Sequence, residues 1–574
     1  MRLVECVPNF SEGRNTGVID AITATITETE GAHLLDVDPG KDTNRTVVTF
    51  VAEYDAAVEA AFRAIRRASE LIDMSKHSGA HPRMGATDVC PFIPVAGVTM
   101  QDCAELARRL GRRVGDELGI PVYLYEEAAT SPERRNLANI RSGEYEGLPE
   151  KLRDPHWKPD FGPAEFNSRT ARAGATVIGA RKFLIAYNVN LNTRSKKIAH
   201  DIAMTIREAG RSKRDEEGKF VRDKKGEVVK ETGTLKACKA VGWYIDEYKR
   251  AQISINLTDF DVTPPHVAFD EVVRQAEKIG VRVTGSELVG LIPLEAMLRA
   301  GRHYLEKAGV STGVPEEALV ETAIQSLGLR DVAPFDPKQK IIEYRVATPT
   351  PLADMTVRSF VDVTSTDSPV PGGGSVSALM ASMSSALASM VANLTVDKKG
   401  YKAAQAEMKR VAPKAQELKA VFLRAVDDDS RAFDAVMAAM RLPDNTDEER
   451  RLREETMQKA TKGAIEVPLG VLERCLDVLP LVESVAVKGN VNSLSDAGVA
   501  ALALRSAAGG AFLNVLINLP GITDAAYVGE RSRRARSVLE EVQRRCDQVT
   551  VGVISRLEEP LRGEKLTKPA KSAK

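Results

Sequence analysis

The pattern of apolar residues along this chain changes once, near position 350, and that change limits the possible folds more than any other feature. From residue 1 to 344, short apolar runs such as 3–7 and 46–51 alternate with segments whose apolar residues recur every three or four positions. These two patterns predict strands and amphipathic helices, respectively. Beyond residue 355, helical patterns rich in Ala, Leu and Arg follow one another with almost no strand signal. The sequence therefore predicts a multidomain protein in which an all-helical bundle follows an α+β region.

The α+β region itself divides in two. Strand patterns recur on both sides of an irregular stretch rich in Pro and Gly, 131–174, which predicts two sheet-and-helix subdomains with a ligand-sized crevice between them. Proline returns in 346–354, where we expect a linker to end. The predicted domains are an N-terminal subdomain at 1–180, a C-terminal subdomain at 181–330, a linker at 331–354, a helical domain at 355–562 and a disordered tail at 563–574.

Charge and cysteine content argue against several classes of protein. The 80 Lys and Arg residues balance 80 Asp and Glu residues, so the chain has no net attraction for nucleic acid or anionic lipid. The six cysteines form no CxxC pair, and the N-terminus lacks a secretory signal pattern, so we expect reduced thiols in the cytoplasm. We expect neither a nucleic-acid partner nor a membrane partner.

Two stretches permit more than one interpretation. The uncharged stretch 375–396 is long enough to cross a bilayer, but it holds six serines and is rich in Ala and Met, which favours a buried bundle helix. The stretch 211–239 is highly charged with both signs and has no interleaved aromatic residues. That composition favours a solvated hairpin or loose loop over a nucleic-acid site.

The densest polar cluster of the first half is the loop 75–95, which contains His77, His81 and Asp88 among glycines. The spacing of His77 and His81 would suit a metal on a helix, but glycine and proline break any helix here. Pro82 restrains His81 to an extended backbone. Because imidazole titrates near neutrality, we interpret His81 as a general acid and base, with a loop-capping hydrogen bond as the alternative.

Two further segments could line the crevice. In the turn 36–46, Asp38 and Arg45 would lie at one edge, although a plain turn also favours Asp, Gly and Asn. The segment 160–183 combines flexible glycines with arginines that include Arg169 and Arg172. This combination suits a planar anionic ligand, and it suits an ordinary connecting loop equally well.

In the helical half, Gly372, Gly373, Gly374 and Ser375 open the first long helix. Their backbone amides would be unpaired at a positive helix end, where an anion or a carbonyl can bind. The alternative is a simple N-cap by the Ser375 side chain.

Three consecutive carboxylates, Asp427, Asp428 and Asp429, fall within a later helix. They span about 200° of the helix, so at least one of them points toward the bundle. Burial raises the pKa of a carboxyl group and lets it deliver a proton, whereas a solvated acid on the helix surface is the default interpretation.

Long strings in both halves resemble the bifunctional formimidoyltransferase-cyclodeaminase family. They include LVECVPNFSEGRN, LIDMSKHSGAHPRMGATDVCPFIPV, GARKFLIAYNVNL, PGGGSV and FLNVLINLPGITDAAY. The similarity extends nearly end to end, with both halves in order. The charged stretch 211–239 is longer than is usual in the family, and the loop 162–174 has a different middle.

The resemblance implies two linked reactions in histidine degradation and one-carbon metabolism. The first half would transfer the formimino group of N-formimino-L-glutamate to N5 of tetrahydrofolate and release glutamate. The helical half would let N10 attack the same carbon, which releases ammonia and forms 5,10-methenyltetrahydrofolate. Tetrahydrofolate, expected to be polyglutamylated, would be a substrate, with no metal and no pyridoxal phosphate required. The family also implies a homo-oligomer.

The resemblance assigns residues as well. His81 matches the catalytic histidine, and Asp427 aligns best with the catalytic carboxylate, with Asp429 second. The family's folate contacts fall on the loop from Gly162 and Pro163 to Gly174, which includes Arg169 and Arg172. Asp38, Arg45 and the four residues Gly372 to Ser375 are substrate-binding candidates from the residues alone.

Two other functions stay open from the sequence. The donor could be N-formylglutamate, although an intact second half favours the formimino donor, since only that donor has ammonia to eliminate. The chain could also be a non-catalytic folate-binding scaffold, which the retained His81 and Asp427 argue against.

Overall fold

The computed structural model describes residues 2–41, 43–79, 81–215, 217–223 and 225–562, and the predicted disordered tail at 563–574 lies outside them. The chain forms two compact units. The first comprises Met1–Ala300 and Ala323–Ala347, and the second comprises Gly301–Thr322 and Thr348–Lys574. An α+β region followed by a helical bundle is confirmed. The exact domain boundaries stay predictions.

The first unit begins with a mixed seven-stranded sheet. Its strands are β1 (Leu3–Cys6), β2 (Asn9–Phe10), β3 (Ala32–Gly40), β4 (Arg45–Glu53), β5 (Thr87–Ala96), β6 (Val122–Glu126) and β7 (Thr176–Ala180). Its helices are α1 (Thr16–Thr27), α2 (Ala57–Leu71), α3 (Met100–Arg113), α4 (Leu137–Ile140), α5 (Leu148–Arg153) and α6 (Ser168–Ala173). Strands β1 and β2 both lie between β4 and β5 and are antiparallel to them, while β7 runs parallel to β5 and β6.

The two faces of this sheet differ in character. Val4 and Phe50 belong to the apolar core that contains buried residues of α1, α2 and α3. Because side chains alternate along a strand, Glu5 on β1 and Arg45 on β4 point to the opposite face. That face therefore carries polar side chains, Glu5 on a central strand and Arg45 at the start of β4.

The second sheet is antiparallel, in the order β11-β12-β8-β13. The elements of this part are β8 (Ile185–Leu191), α7 (Lys196–Ile206), β9 (Arg211–Ser212), β10 (Lys230–Glu231), β11 (Cys238–Ile245), β12 (Arg250–Leu257), α8 (Pro265–Lys278) and β13 (Val283–Val289). Four helices follow, α9 (Leu294–Lys307), α10 (Glu316–Leu327), α11 (Pro337–Lys340) and α12 (Ile342–Arg345).

The charged stretch is a more ordered form of the predicted hairpin. It contains two copies of an Arg-Asp-x-x-Gly turn, at 214–218 and 222–226, and in each copy the aspartate accepts backbone amide hydrogen bonds while the arginine donates to the glycine carbonyl. The backbones of Lys213, Val221 and Val229 close a ring, since the amide of each donates to the carbonyl of another. Strands β9 and β10 pair at the base of this ring.

The second unit is a bundle of long helices. They are α13 (Val357–Thr364), α14 (Gly373–Asn393), α15 (Gln405–Met440), α16 (Asp447–Lys488), α17 (Leu494–Asn518) and α18 (Ala525–Glu558). Helix α14 packs against α15 and α17, and a single apolar core contains buried residues from all five helices α14 to α18. The N-terminus of α16 is fixed by a capping box between Thr446 and Glu449.

Two helical segments of the bundle are long and apolar enough to cross a membrane, Gly373–Asn393 and Val491–Gly521. About 61% and 44% of their apolar windows are buried within the protein. The Ser384 hydroxyl donates to the Ala500 carbonyl at 2.8 Å, so a polar side chain of α14 is satisfied by a neighbouring helix. This packing agrees with the predicted bundle helix.

A segment that precedes the predicted linker also belongs to the second unit. Ser311 donates to the Asn393 side chain at 2.7 Å, and Asn393 donates to the Gly313 carbonyl at 2.7 Å. A Cβ on Gly313 would lie 2.3 Å from the Ala412 methyl, so only glycine permits this approach. The sequence pattern did not predict this part of the second unit.

Candidate functional site

His81 lies on the loop between α2 and β5, and the loop is built on tight backbone packing. A Cβ on Gly79 would lie 2.2 Å from the Thr43 carbonyl, and a Cβ on Gly85 would lie 2.4 Å from the Ala175 carbonyl. These glycines therefore hold the loop against the turn before β4 and against the residues before β7. The His81 ring remains partly exposed between the two packed ends.

The hydrogen bonds of His81 define its tautomer. Its Nδ1 lies 2.6 Å from the Pro82 carbonyl, an acceptor only, so Nδ1 carries the proton. Its Nε2 contacts the Arg45 guanidinium, which can only donate. Burial and the positive charge of Arg45 lower the pKa of His81 below its ordinary value. His81 is thus a neutral imidazole at pH 7 with a basic Nε2.

A buried ion pair supports this arrangement. Asp88 is fully buried, accepts from the Met84 amide at 3.0 Å and pairs with Arg141. Both Asp88 and Arg141 act electrostatically on His81, and the Arg141 Nε is buried without a hydrogen-bond partner among the described residues. Two guanidinium groups, of Arg45 and Arg141, therefore make the surroundings of His81 positive.

His77 has a structural role in this loop. Its Nε2 lies 2.9 Å from the Asn44 carbonyl, and its Nδ1 accepts from Arg83 at 3.2 Å. Arg83 also forms a bidentate pair with Glu146. Both ring nitrogens of His77 are occupied, and no cluster of three potential metal ligands occurs in the described part of the chain. A cleft of about 490 Å³ lies beside this group.

The structure does not bring all the predicted folate contacts to this loop. Gly174, with φ +71°, packs its backbone on Met84 and Gly85 at the base of the His81 loop. Arg169 and Arg172 donate to backbone carbonyls on the surface and line a separate groove of about 410 Å³.

At the start of the 162–174 loop, backbone conformation and close packing require a glycine. Gly162 adopts φ +81°, and a Cβ there would lie 2.3 Å from the Ile120 carbonyl. The following Pro163 is half-buried. Asp38 is exposed near the end of β3, close enough to Arg45 for its charge to raise the Arg45 pKa, while burial lowers it more strongly.

In the second unit, the glycine-rich start of α14 faces Asp429. Gly372 occupies the N-cap position and no side chain caps the helix, so the alternative of a Ser375 cap is wrong. The Ser375 hydroxyl instead donates to the Val426 carbonyl at 2.9 Å and to Asp429 at 3.1 Å. A Cβ on Gly374 would lie 2.0 Å from the Asp429 carboxylate.

The three aspartates have three different environments. Burial raises the pKa of Asp429, against the opposing effect of hydrogen bonds from Ser375. Asp427 is 2% exposed and accepts the backbone amides of Leu352 and Ala353 at 2.9 and 3.1 Å. Asp428 is exposed and pairs with Arg431. Only Asp429 adjoins the glycine-rich turn.

Sequence reasoning missed several polar residues that the structure buries or packs closely. Glu5 lies in an apolar strand and is 5% exposed, and Arg141 follows the short helix α4 within the irregular stretch 131–174. Asn514 on α17 approaches Gly373, with its amide nitrogen 3.2 Å from a Cβ built there. A single acid within the apolar run LVEC was the one signal available for Glu5.

Family profiles cover most of the chain, in order. The profile described as "Formiminotransferase domain, N-terminal subdomain" matches residues 3–181. That described as "Formiminotransferase domain" matches 186–347, and that described as "Formiminotransferase-cyclodeaminase" matches 356–537. The profile matches thus include the loop of His81 and the helices of Gly374 and Asp429.

Curated relatives show the same organisation. The formimidoyltransferase-cyclodeaminase of Mus musculus is 46% identical over 545 residues, 94% of this chain and 97% of that protein. The glutamate formimidoyltransferase of Streptococcus pyogenes serotype M1 is 42% identical over 53% of this chain and 94% of that protein. The methenyltetrahydrofolate cyclohydrolase of Methylorubrum extorquens is 42% identical over 32% of this chain and 89% of that protein. With both halves present in order and similar at nearly full length, the chain belongs to the formimidoyltransferase-cyclodeaminase family.

Proposed function

We propose that this protein transfers the formimino group from N-formimino-L-glutamate to N5 of tetrahydrofolate and then cyclises and deaminates the product. The products are glutamate, ammonia and 5,10-methenyltetrahydrofolate. The single structural observation that carries the first step is the neutral His81, whose Nδ1 proton is committed to Pro82. The names of the relatives support both steps, and the Mus musculus relative is similar over nearly the whole chain.

The first reaction needs a proton to move twice. As N5 attacks the amidine carbon it loses a proton, which the His81 Nε2 accepts. The same imidazolium then gives this proton to the departing glutamate nitrogen. Because Arg45 occupies Nε2 in this structure, substrate binding displaces the guanidinium. Arg45 and Arg141 are then available for the carboxylates of the glutamate donor.

The second reaction needs an acid. N10 attacks the formimino carbon, the C–N bond to the former imino nitrogen breaks, and ammonia leaves with one proton from N10 and one from an acid. Asp429 suits this role because burial raises its pKa and because it adjoins the open start of α14. Asp427, which the family resemblance ranks first, becomes the second candidate in this proposal, because its two backbone contacts fit a role in anchoring 352–353.

The proposal also covers the substrate contacts, the form of the folate, the cofactor requirement, the compartment and the assembly. The first site also binds folate through Asp38 and through residues of the 162–174 loop, namely Gly162, Pro163, Arg169, Arg172 and Gly174. The second site also binds its substrate through the backbone amides of 372–375. The folate is polyglutamylated, its chemistry needs no metal or pyridoxal phosphate, and the enzyme acts in the cytoplasm as a homo-oligomer. Six free, buried cysteines are compatible with a reducing compartment.

A coupled assay tests the proposed function. Purified protein with N-formimino-L-glutamate and tetrahydrofolate should release glutamate and ammonia in equal amounts while methenyl absorbance rises. His81→Ala should abolish glutamate release but still convert supplied 5-formiminotetrahydrofolate, and Asp429→Asn should do the reverse. Loss of both steps in either variant would contradict two separate sites, and turnover of N-formylglutamate alone would support the alternative donor.

A further inference from the structure

His81 has one nitrogen that can accept a proton, and Arg45 occupies it. Its Nδ1 donates to the Pro82 carbonyl at 2.6 Å, so Nε2 carries the one lone pair of the ring that is available for chemistry. The Arg45 guanidinium contacts this Nε2, and a guanidinium can only donate. While this contact is made, the lone pair is committed to Arg45 and His81 cannot act as a base.

The charges around Arg45 give its side chain a second position. Asp88 and Asp38 attract the guanidinium, whereas Arg141 repels it. Asp88 is fully buried and already pairs with Arg141. Asp38 is exposed, has no hydrogen bond or ion pair among the described residues, and lies opposite Val47, two residues along β4 from Arg45. Such diagonal neighbours share one face of a sheet at about 7–8 Å, which a long side chain can span.

The formimino donor brings a carboxylate to the same place. In N-formimino-L-glutamate the leaving nitrogen and the α-carboxylate are bonded to the same carbon atom, so a group that binds this carboxylate lies next to the group that protonates the nitrogen. The γ-carboxylate lies further along the side chain. A guanidinium binds a carboxylate through two parallel, charge-assisted hydrogen bonds, which are stronger than a hydrogen bond to a neutral ring. The α-carboxylate can therefore draw Arg45 away from Nε2 and keep it within the site.

We infer that Arg45 blocks His81 until the α-carboxylate of the donor binds, and that this exchange selects donors that carry an α-carboxylate. The inference rests on the proposed function and deepens it. In the exchange the guanidinium moves its hydrogen bonds from Nε2 to the carboxylate while Asp38 attracts it from β3. No covalent bond changes and no proton is transferred in this step. Nε2 is then able to take the proton that N5 loses, whereas a compound without the carboxylate meets an occupied base.

Chemical modification measures the blocking without folate or donor. Diethyl pyrocarbonate acylates a neutral imidazole nitrogen whose lone pair is available, and mass spectrometry of the peptide that contains His81 gives the rate. At pH 8 even an unperturbed imidazole is neutral, so the rate reports the availability of Nε2. Arg45→Met should be modified at His81 about 10- to 100-fold faster than wild type, the factor expected for losing a hydrogen bond to a charged group. Equal rates would overturn the inference.

Arg14→Met is the matched control for this experiment. Arg14 is an exposed arginine that donates to the Lys41 carbonyl at 3.0 Å, in the turn that precedes Arg45. It is not among the charges that act on His81. The rate of modification of His81 should therefore be the same in Arg14→Met and in wild type, and an acceleration equal to that of Arg45→Met would overturn the inference.

Two donor analogues test the selection by the α-carboxylate. One carries a carboxamide in place of the α-carboxylate, and the other carries a carboxamide in place of the γ-carboxylate. In wild type the α-amide should lower the kcat of formimino transfer about 10- to 100-fold because Arg45 stays on Nε2, whereas the γ-amide should mainly raise the KM. In Arg45→Met the α-amide and N-formimino-L-glutamate should give the same kcat. An unchanged kcat with the α-amide in wild type would overturn the inference.

The two experiments distinguish failure of the inference from failure of the proposed function. If wild-type protein transfers no formimino group, the proposed function fails together with the selection by the α-carboxylate, while the modification rates still measure the blocking. If transfer occurs and wild type uses the α-amide as fast as the natural donor, only the inference fails. Calorimetric unfolding verifies that each variant is folded, and the analogue comparison in wild type needs no variant.

Discussion

The burial of Glu5 makes the stability of the protein depend on pH, and this dependence can be measured without any substrate. Burial raises its pKa from 4.5 to about 7, and a pKa difference of one between folded and unfolded states corresponds to about 1.4 kcal/mol. Below pH 4.5 the carboxyl group holds its proton in both states. Between pH 4.5 and 7 only the unfolded chain loses the proton, so the free energy of unfolding falls as the pH rises. Above pH 7 the loss is complete, at about 3 kcal/mol.

Glu5→Gln removes this pH dependence. A buried glutamine has its own cost, but that cost is the same at every pH, so the change with pH is the quantity to compare. Relative to wild type, the variant should gain about 3 kcal/mol between pH 4.5 and 8, which is a rise in Tm of about 3–6 °C for a unit of this size. Differential scanning calorimetry of the full chain over this pH range measures the difference.

Glu53→Gln provides the comparison, because an exposed acid should leave the difference flat. Ionisations shared by both proteins, such as that of His81, cancel when the variant is compared with wild type. A Tm difference between Glu5→Gln and wild type that does not change with pH would refute the reasoning. It would mean that Glu5 is paired or solvated in the folded protein.

Four further outcomes follow from the two sites. The kcat/KM of formimino transfer should be constant above pH 7 and fall as the pH drops below the lowered pKa of His81, because only the neutral ring accepts a proton; a rise toward acid pH would contradict this. Gly374→Ala should abolish ammonia release while glutamate release persists, because the new methyl group collides with the Asp429 carboxylate; Gly463→Ala, with open space around the site, is the control. Asp427→Asn should lower the free energy of unfolding of the second unit by about 1–3 kcal/mol, and a urea titration should show this. The asparagine side chain has one oxygen and one NH₂ group, so it can accept only one of the two backbone N–H hydrogen bonds that Asp427 accepts. Arg141→Gln should destabilise the first unit by about 3–5 kcal/mol because it leaves Asp88 buried and unpaired, and an unchanged urea midpoint would refute that role.

The sequence predicted the order of the elements well where periodicity was strong. The short apolar run 46–51 predicted β4, and the long helical patterns predicted α14 to α18, because each of these elements buries apolar side chains along its length. Short elements such as β2 and α4 were missed, since two to four residues carry no periodicity. The placement of 301–322 in the helical unit depends on long-range contacts such as that of Gly313 with Ala412, which no local pattern encodes.

The sites were predictable to a different extent. His81 could be identified because its loop concentrates polar residues between glycines, but its tautomer depends on the folded positions of the Pro82 carbonyl and of Arg45, which is distant in sequence. The three aspartates could be listed but not ranked, since the rotation of α15 relative to α14 decides which one meets Gly374. Glu5 gave little signal because one acid in a strand resembles an edge residue until the sheet order places it between β4 and β5.

The ring of backbone hydrogen bonds formed by Lys213, Val221 and Val229 is self-contained, and its ends meet where Ser212 faces Lys230 across one rung of β9 and β10. A module whose entry and exit are neighbours can be shortened to a tight turn, or exchanged for a foreign domain, without altering the spacing of the strands that flank it. The charged stretch 211–239 is therefore a suitable position for inserting a fluorescent or affinity tag into the intact enzyme.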